Sequence, residues 1–272
     1  MFNIFLNLIF NFKIFDMKKI NLLFTLLFTV ITYSQMITYT SVRLEEGQND
    51  AYIDVEKFWS KIHEQAIEED FETGWMIWKV VPVEGDENAA NQADFLIMNF
   101  YQDSVQMNKG VDFYKLGRSV YSKLSKKKFD KIWEAGPYGT RNFYQLERLD
   151  NTTWLFGDLE IGTKLTLNAF KQTDENYEQY EMDFYKKWHN KRILNGSRKW
   201  WELNRVLSSS ENGNKEITHV TLDMMGKELS ESEREEFWKE VTFTDRMMWT
   251  NGAKTREMIN QVNLELVMYR FK

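Results

Sequence analysis

Apolar residues change their period repeatedly along this chain, and the changes mark out its elements. Residues 39–44 alternate like a strand, and residues 52–70 then place Val55, Phe58, Trp59, Ile62 and Ala66 on one face at helical spacing. After Gly74, residues 75–81 and 95–100 are apolar at nearly every position, as in strands covered on both faces; the turn-like residues 82–86 lie between them. A lysine-rich helix over 122–135 precedes Gly136 and Pro137, and a last strand is expected near 152–156. Farther on, the pattern predicts strands over 164–170, 199–207, 217–224 and 262–269, a helix over 176–195 and a helical stretch from Ser230 onward.

This order occurs twice. Phe58, Trp59, Ile62, His63, Gly74, Trp75 and Trp78 are answered by Phe184, Tyr185, Trp188, His189, Gly196, Trp200 and Trp201. Each series closes on a Thr-Arg pair, Thr140-Arg141 and Thr255-Arg256, with Trp133 or Trp249 shortly before it. Matched features in a fixed order predict two related modules, residues 36–160 and 161–272. Each reads strand, helix, strand, strand, helix, strand, the ferredoxin-like βαββαβ pattern. A four-stranded antiparallel sheet with both helices on one face leaves its other face bare, so two such sheets in one chain can cover each other. The expected fold is therefore α+β: two ferredoxin-like repeats whose antiparallel sheets pack face to face as a barrel. In element order the chain resembles the dimeric α+β barrel superfamily, in a version where one chain supplies both halves.

Alternate strand residues point to opposite faces, which divides the positions into two sets. The strictly apolar sets, such as Leu165, Leu167 and Ala169 or Val220, Leu222 and Met224, are expected to face the helices. The barrel interior then receives Asn168, His219, Asp223, Glu265 and Tyr269 from the second repeat, Trp200 and Glu202 from its second strand, and Arg43 from the first. Aromatic rings with a few converging polar groups are the usual lining of a small-molecule site. The candidate site binds a small organic ligand through Arg43, Asn168, Trp200, Glu202, Glu265 and Tyr269, with His219 and Asp223 as the pair that could move a proton. The competing reading is a salt-bridged seam in which Arg43 pairs with Glu265 or Glu202.

Composition trims the alternatives. Residues 17–34 carry a charged start and a short apolar run, the form of a secretory signal, and residues 1–16 read as a spurious upstream extension. The break at Asp16, Lys18 and Lys19 leaves no uninterrupted run of the roughly 20 residues a spanning helix needs, so no stable membrane insertion is expected after cleavage. The remaining chain has 32 basic against 40 acidic residues, a poor balance for nucleic acid. Without cysteine it has no disulfide and no thiolate metal site. A periplasmic or secreted protein, monomeric or weakly dimeric, follows from these features.

No metal or cofactor is called for. Some members of the resembled superfamily hold haem with a histidine, but their further signature residues are lacking here, and His63 and His189 read as hydrogen-bonding groups at helix edges. The Thr-Arg pairs read as braces between helix and sheet, and Lys126-Lys127-Lys128 as a solvated helix face. Three functions remain: an exported small-molecule-binding protein, a cofactor-independent monooxygenase- or isomerase-like enzyme using His219 and Asp223, and a structural or partner-binding protein with a filled barrel.

Overall fold

The structure, a computed structural model, describes residues 35–82, 92–135, 139–154 and 159–272. The expected signal and the extension before it lie outside the described residues. Eight strands form the frame: β1 (Met36–Arg43), β2 (Gly74–Val81), β3 (Phe95–Tyr101), β4 (Thr140–Asn151), β5 (Lys164–Gln172), β6 (Arg198–Ser209), β7 (His219–Met225) and β8 (Arg256–Phe271). They close into an all-antiparallel barrel in the order β1-β3-β2-β8-β5-β7-β6-β4. The sets β4-β1-β3-β2 and β8-β5-β7-β6 have the same internal order, and they are hydrogen-bonded to each other along β2–β8 and β4–β6. Closure in this way leaves neither set with an open edge. The last strand of the first set is Thr140–Asn151, earlier in the chain than the spacing suggests, so Thr140 and Arg141 begin the strand instead of preceding it.

Helices lie outside the barrel. The first set carries α1 (Asn49–Glu68), α2 (Ser104–Met107), α3 (Phe113–Val120) and α4 (Lys126–Glu134). Helix α1 buries Tyr52 against the sheet and Phe58, Ile62 and Ala66 against α3 and α4, and the chain turns out of it through Asp70, whose φ of 61° ends the helical path. The second set carries a single turn α5 (Tyr177–Gln179), a π-helical turn Tyr180–Tyr185, α6 (Lys186–Leu194), α7 (Glu231–Lys239) and α8 (Phe243–Ala253). Both α7 and α8 begin with reciprocal capping boxes, Ser230 with Glu233 and Thr242 with Asp245. The lysines at 126–128 are exposed, as expected.

One apolar cluster fills the barrel interior, drawing Ile37, Trp78, Met98, Leu146, Leu222 and Leu264 from different strands. Burying each such side chain contributes about 1.5–3 kcal/mol, so the closed interior is the main stabilising core. Separate clusters pack the helices on the outer faces: Tyr52, Trp75 and Phe95 in the first set, Tyr177, Trp201 and Leu203 in the second. Gly74 permits closure at one end, because a Cβ there would come within 2.1 Å of the Phe271 ring.

This core reverses part of the expected facing. Leu165, Val220, Leu222, Met224, Leu264 and Leu266 point into the barrel, while Asn168, His219, Thr221 and Asp223 lie on the face under the helices. The division into alternate sets holds, but its inward sense in β5, β7 and β8 is opposite to the one inferred. The reason is solvation. A closed eight-stranded interior is the driest place in the molecule, whereas helices can offer partners to polar groups beneath them. On β8 the register also slips, at Ile259 and again at Val267. The second slip turns Tyr269 inward, while Glu265 stays exposed on the outer surface. Tyr39 and Trp200 face inward as expected.

Candidate functional site

Two cavities carry the polar residues singled out by the sequence. The first opens at one end of the barrel and measures about 570 Å³. Its walls are Leu96, Leu146, Leu167, Val220 and Leu264, and its rim is polar, with Ser41, Arg43, Asn142, Tyr144, Asn214 and Asn260. The Tyr144 hydroxyl accepts from the Asn214 amide at 2.9 Å, tying β4 to the loop after β6 across the mouth. Tyr39 lines this cavity; its hydroxyl and Asn142 Oδ1 are buried without a hydrogen-bond partner among the described residues.

Deeper in the barrel, Glu202 is fully buried and ion-paired with Arg148 of β4, whose guanidinium lies 5.7 Å from the Trp200 ring. Asn204 Nδ2 donates to Glu202 Oε1 at 2.9 Å. Burial holds the Glu202 carboxyl above the usual carboxylate range despite Arg148, and burial also raises the Tyr39 phenol, with Glu202 adding to the shift. Tyr269 donates its hydroxyl to the Leu159 carbonyl at 2.7 Å. Arg43 thus stands at the barrel mouth, Glu202 and Trp200 below it, Tyr269 along the inner wall, and Glu265 outside. Neither proposed Arg43 pairing, with Glu202 or with Glu265, is formed, since Glu202 pairs with Arg148 and Glu265 sits on the outer surface.

The second cavity, about 550 Å³, lies between the β5–β8 sheet and its own helices. Asn168, Thr221, Asp223 and Trp201 form its floor, and Trp188, His189, Arg192 and Trp249 its roof. Asn168 Nδ2 donates to Asp223 Oδ2 at 2.8 Å and to Thr221 Oγ1 at 3.2 Å, and Arg198 pairs with Asp223 at 2.9 Å. His219 shares this sheet face but sits apart. Its Nε2 is 2.9 Å from Glu178, which also binds Arg205, and its Nδ1 is 2.9 Å from the Thr218 hydroxyl. Burial lowers the His219 pKa more than Glu178 raises it. The sequence pair His219 and Asp223 is therefore divided between an ion network and a cavity floor.

Sequence reasoning reads His189 as a helix-edge hydrogen-bonding group and Trp188, Trp201 and Trp249 as matched positions of the repeat, and it passes over Arg192. A spacing signal for them was present. Tyr52 and Glu56 stand four apart, as do Tyr177 and Glu181; His63 and Trp75 stand twelve apart, as do His189 and Trp201. Each histidine ring stacks on its tryptophan, at 4.9 Å and 4.6 Å, both with an interplanar angle of 14°. Glutamate and histidine stand seven apart in the first half and eight apart in the second. The extra residue falls in the π-helical turn. Arg256 ion-pairs with Glu181 of that turn and lies 4.4 Å from the Phe170 ring, which gives this Thr-Arg arginine the bracing geometry expected of it. His63, by contrast, is 2.8 Å from Glu72, which also accepts from Asn99. The described residues include no cluster of metal-ligating side chains and no helix long and apolar enough to cross a membrane.

No family model and no curated protein matches the chain. Solved structures do match. A candidate monooxygenase from Fusobacterium nucleatum subsp. nucleatum is similar over 88% of this chain and 95% of its own, at 10% identity and a TM-score of 0.53. A candidate monooxygenase from Lactobacillus acidophilus is similar over 88% and 96%, at 9% identity and a TM-score of 0.50. A chlorite dismutase variant from Candidatus Nitrospira defluvii gives 86% and 92%, at 9% identity and a TM-score of 0.43. The likeness to the two candidate monooxygenases is one of architecture: they and this chain share the α+β barrel, ferredoxin-like fold.

Proposed function

We propose that this chain is a small-molecule-binding protein that holds an apolar organic ligand with a hydrogen-bonding head in the open end of its barrel. The observation that carries this reading is the mouth cavity itself, with apolar walls and two buried, unpartnered polar atoms, Tyr39 OH and Asn142 Oδ1, at its lining. Buried polar atoms without partners are costly, and a ligand head that meets them recovers about 1–3 kcal/mol for each. Arg43 at the rim suits a polar or anionic head. The neutral fluorophore N-phenyl-1-naphthylamine tests the site. It is expected to brighten on binding and to lose that response in Ala169→Phe, which fills the cavity from β5. An undiminished response in that variant sinks the proposal.

The same reading treats β1–β4 and β5–β8 as two copies of one module, supported by their shared strand order and matched spacings. It also treats the protein as exported, on the signal-like residues 17–34; mass spectrometry of the product from its native host should find a mature N-terminus near Gln35. An enzymatic reading draws on the fold shared with two candidate monooxygenases. It gains nothing from His219, whose two ring nitrogens both have neighbours within hydrogen-bonding distance.

A further inference from the structure

The two halves use a similar plan under their helices, and the second has a cavity beside its histidine. In the first half, Phe113 of α3 packs 5.5 Å from His63 and Trp133 packs 4.6 Å from Trp59. The second half has two helices between β7 and β8 where the first has three between β3 and β4, and among the described residues the ring packed on His189 is that of Trp201. Its helix instead carries the one-residue π insertion, a feature that costs helix geometry and is found mostly at functional sites. Here His189 Nδ1 and Trp188 Nε1 are buried without partners among the described residues, and both residues line the cavity.

The charges of the lining select a ligand. Glu181 is paired with Arg256, and Asp223 with Arg198. Arg192 has no carboxylate partner among the described residues; its guanidinium lies 5.6 Å from the Phe237 ring. One cation without an ion pair among the described residues remains, between indole walls, with the Asp223 carboxylate acting on it at longer range. We propose that this pocket is a second ligand site, which binds a planar aromatic monocarboxylate, with the carboxylate on Arg192 and His189 and the ring between Trp188, Trp201 and Trp249. Burial lowers the Arg192 pKa, a strain that a bound anion would relieve. Haem does not fit these residues. Its two propionates would meet one arginine without an ion pair among the described residues, beside the carboxylates of Glu181 and Asp223.

The test uses the full chain with 2-naphthoate and its neutral analogue 2-naphthalenemethanol in calorimetric titrations. Naphthoate should bind at one site, with Arg192→Gln weakening it about tenfold or more, the usual worth of a charge-assisted hydrogen bond, while the alcohol changes less than about twofold. His189→Phe, which keeps the stack on Trp201, should weaken naphthoate likewise. Ala169→Phe, which blocks the barrel mouth, should leave naphthoate affinity unchanged, so this site and the barrel site fail independently. Equal loss of acid and alcohol in Arg192→Gln, or naphthoate binding lost in Ala169→Phe, overturns the proposal. Stoichiometric hemin binding with a Soret band abolished by His189→Phe overturns the monocarboxylate assignment.

Discussion

The two halves of this barrel differ in the helix that covers each sheet: the first packs its histidine against Phe113, and the second carries a π turn and a cavity beside its histidine. Both bury a tyrosine and a glutamate on the first helix, stack a histidine on a strand tryptophan, and set an arginine at the start of the last strand. In the first half the histidine is satisfied by Glu72 and covered by Phe113. In the second, the π turn moves the downstream helix by one residue relative to Glu181, and an aromatic-walled cavity lies over the sheet. The anchors fix where the helix begins and ends against the sheet, so the extra residue is absorbed between them.

That comparison can be broken most strongly at the arginines. Arg256→Met leaves Glu181, which is 1% exposed, buried without its partner, and should cost about 3 kcal/mol in urea unfolding. The matching Arg141 is exposed, and Arg141→Met should cost less than about 0.5 kcal/mol. Equal losses would mean that the two arginines do the same job. Deleting Asp183, an exposed residue of the π turn, gives the second helix the spacing of the first. The variant should fold, regain α-helical hydrogen bonding and bind 2-naphthoate at least about tenfold more weakly; undiminished binding would detach the pocket from the π turn.

Smaller effects sharpen the contrast. Thr242→Ala removes a reciprocal capping box from α8 and should cost about 1 kcal/mol in thermal or urea unfolding; Ser125→Ala removes a single cap bond from α4 and should cost about half of that. The smallest is a slope. His219 has a native pKa below its ordinary value, so the unfolded chain binds the proton first as pH falls through about 6.5. Stability should therefore fall on acidification from pH 7 toward 5, and His219→Gln should make that fall shallower. An unchanged slope would place the acid sensitivity elsewhere.

Much of the fold could be read from the chain. The order of eight strands, the helix before each second strand, and the paired tryptophans all follow from apolar spacing. The candidate site was legible in pieces. Arg43, Trp200, Glu202 and Tyr269 do face the barrel or its mouth, Tyr269 only because of the slip at Val267, while Asn168 and Asp223 meet in a different cavity and His219 joins an ion network. Glu265 belongs to neither cavity. His189 reads as a helix-edge hydrogen-bonding group and Arg192 is not singled out, because a helix-edge position has no alternation to mark it and its surroundings depend on which side chains cover it.

By itself the sequence determined the two classes of strand residue, since the two-residue period of an extended chain admits no third, and it determined the repeated anchor spacings. Which class faces inward was decided only when the strands closed into a barrel, because closure excludes water from one face while helices supply hydrogen-bond partners to the other. The pocket too is a tertiary product. Its walls come from two helices and the sheet, which meet only in the folded chain.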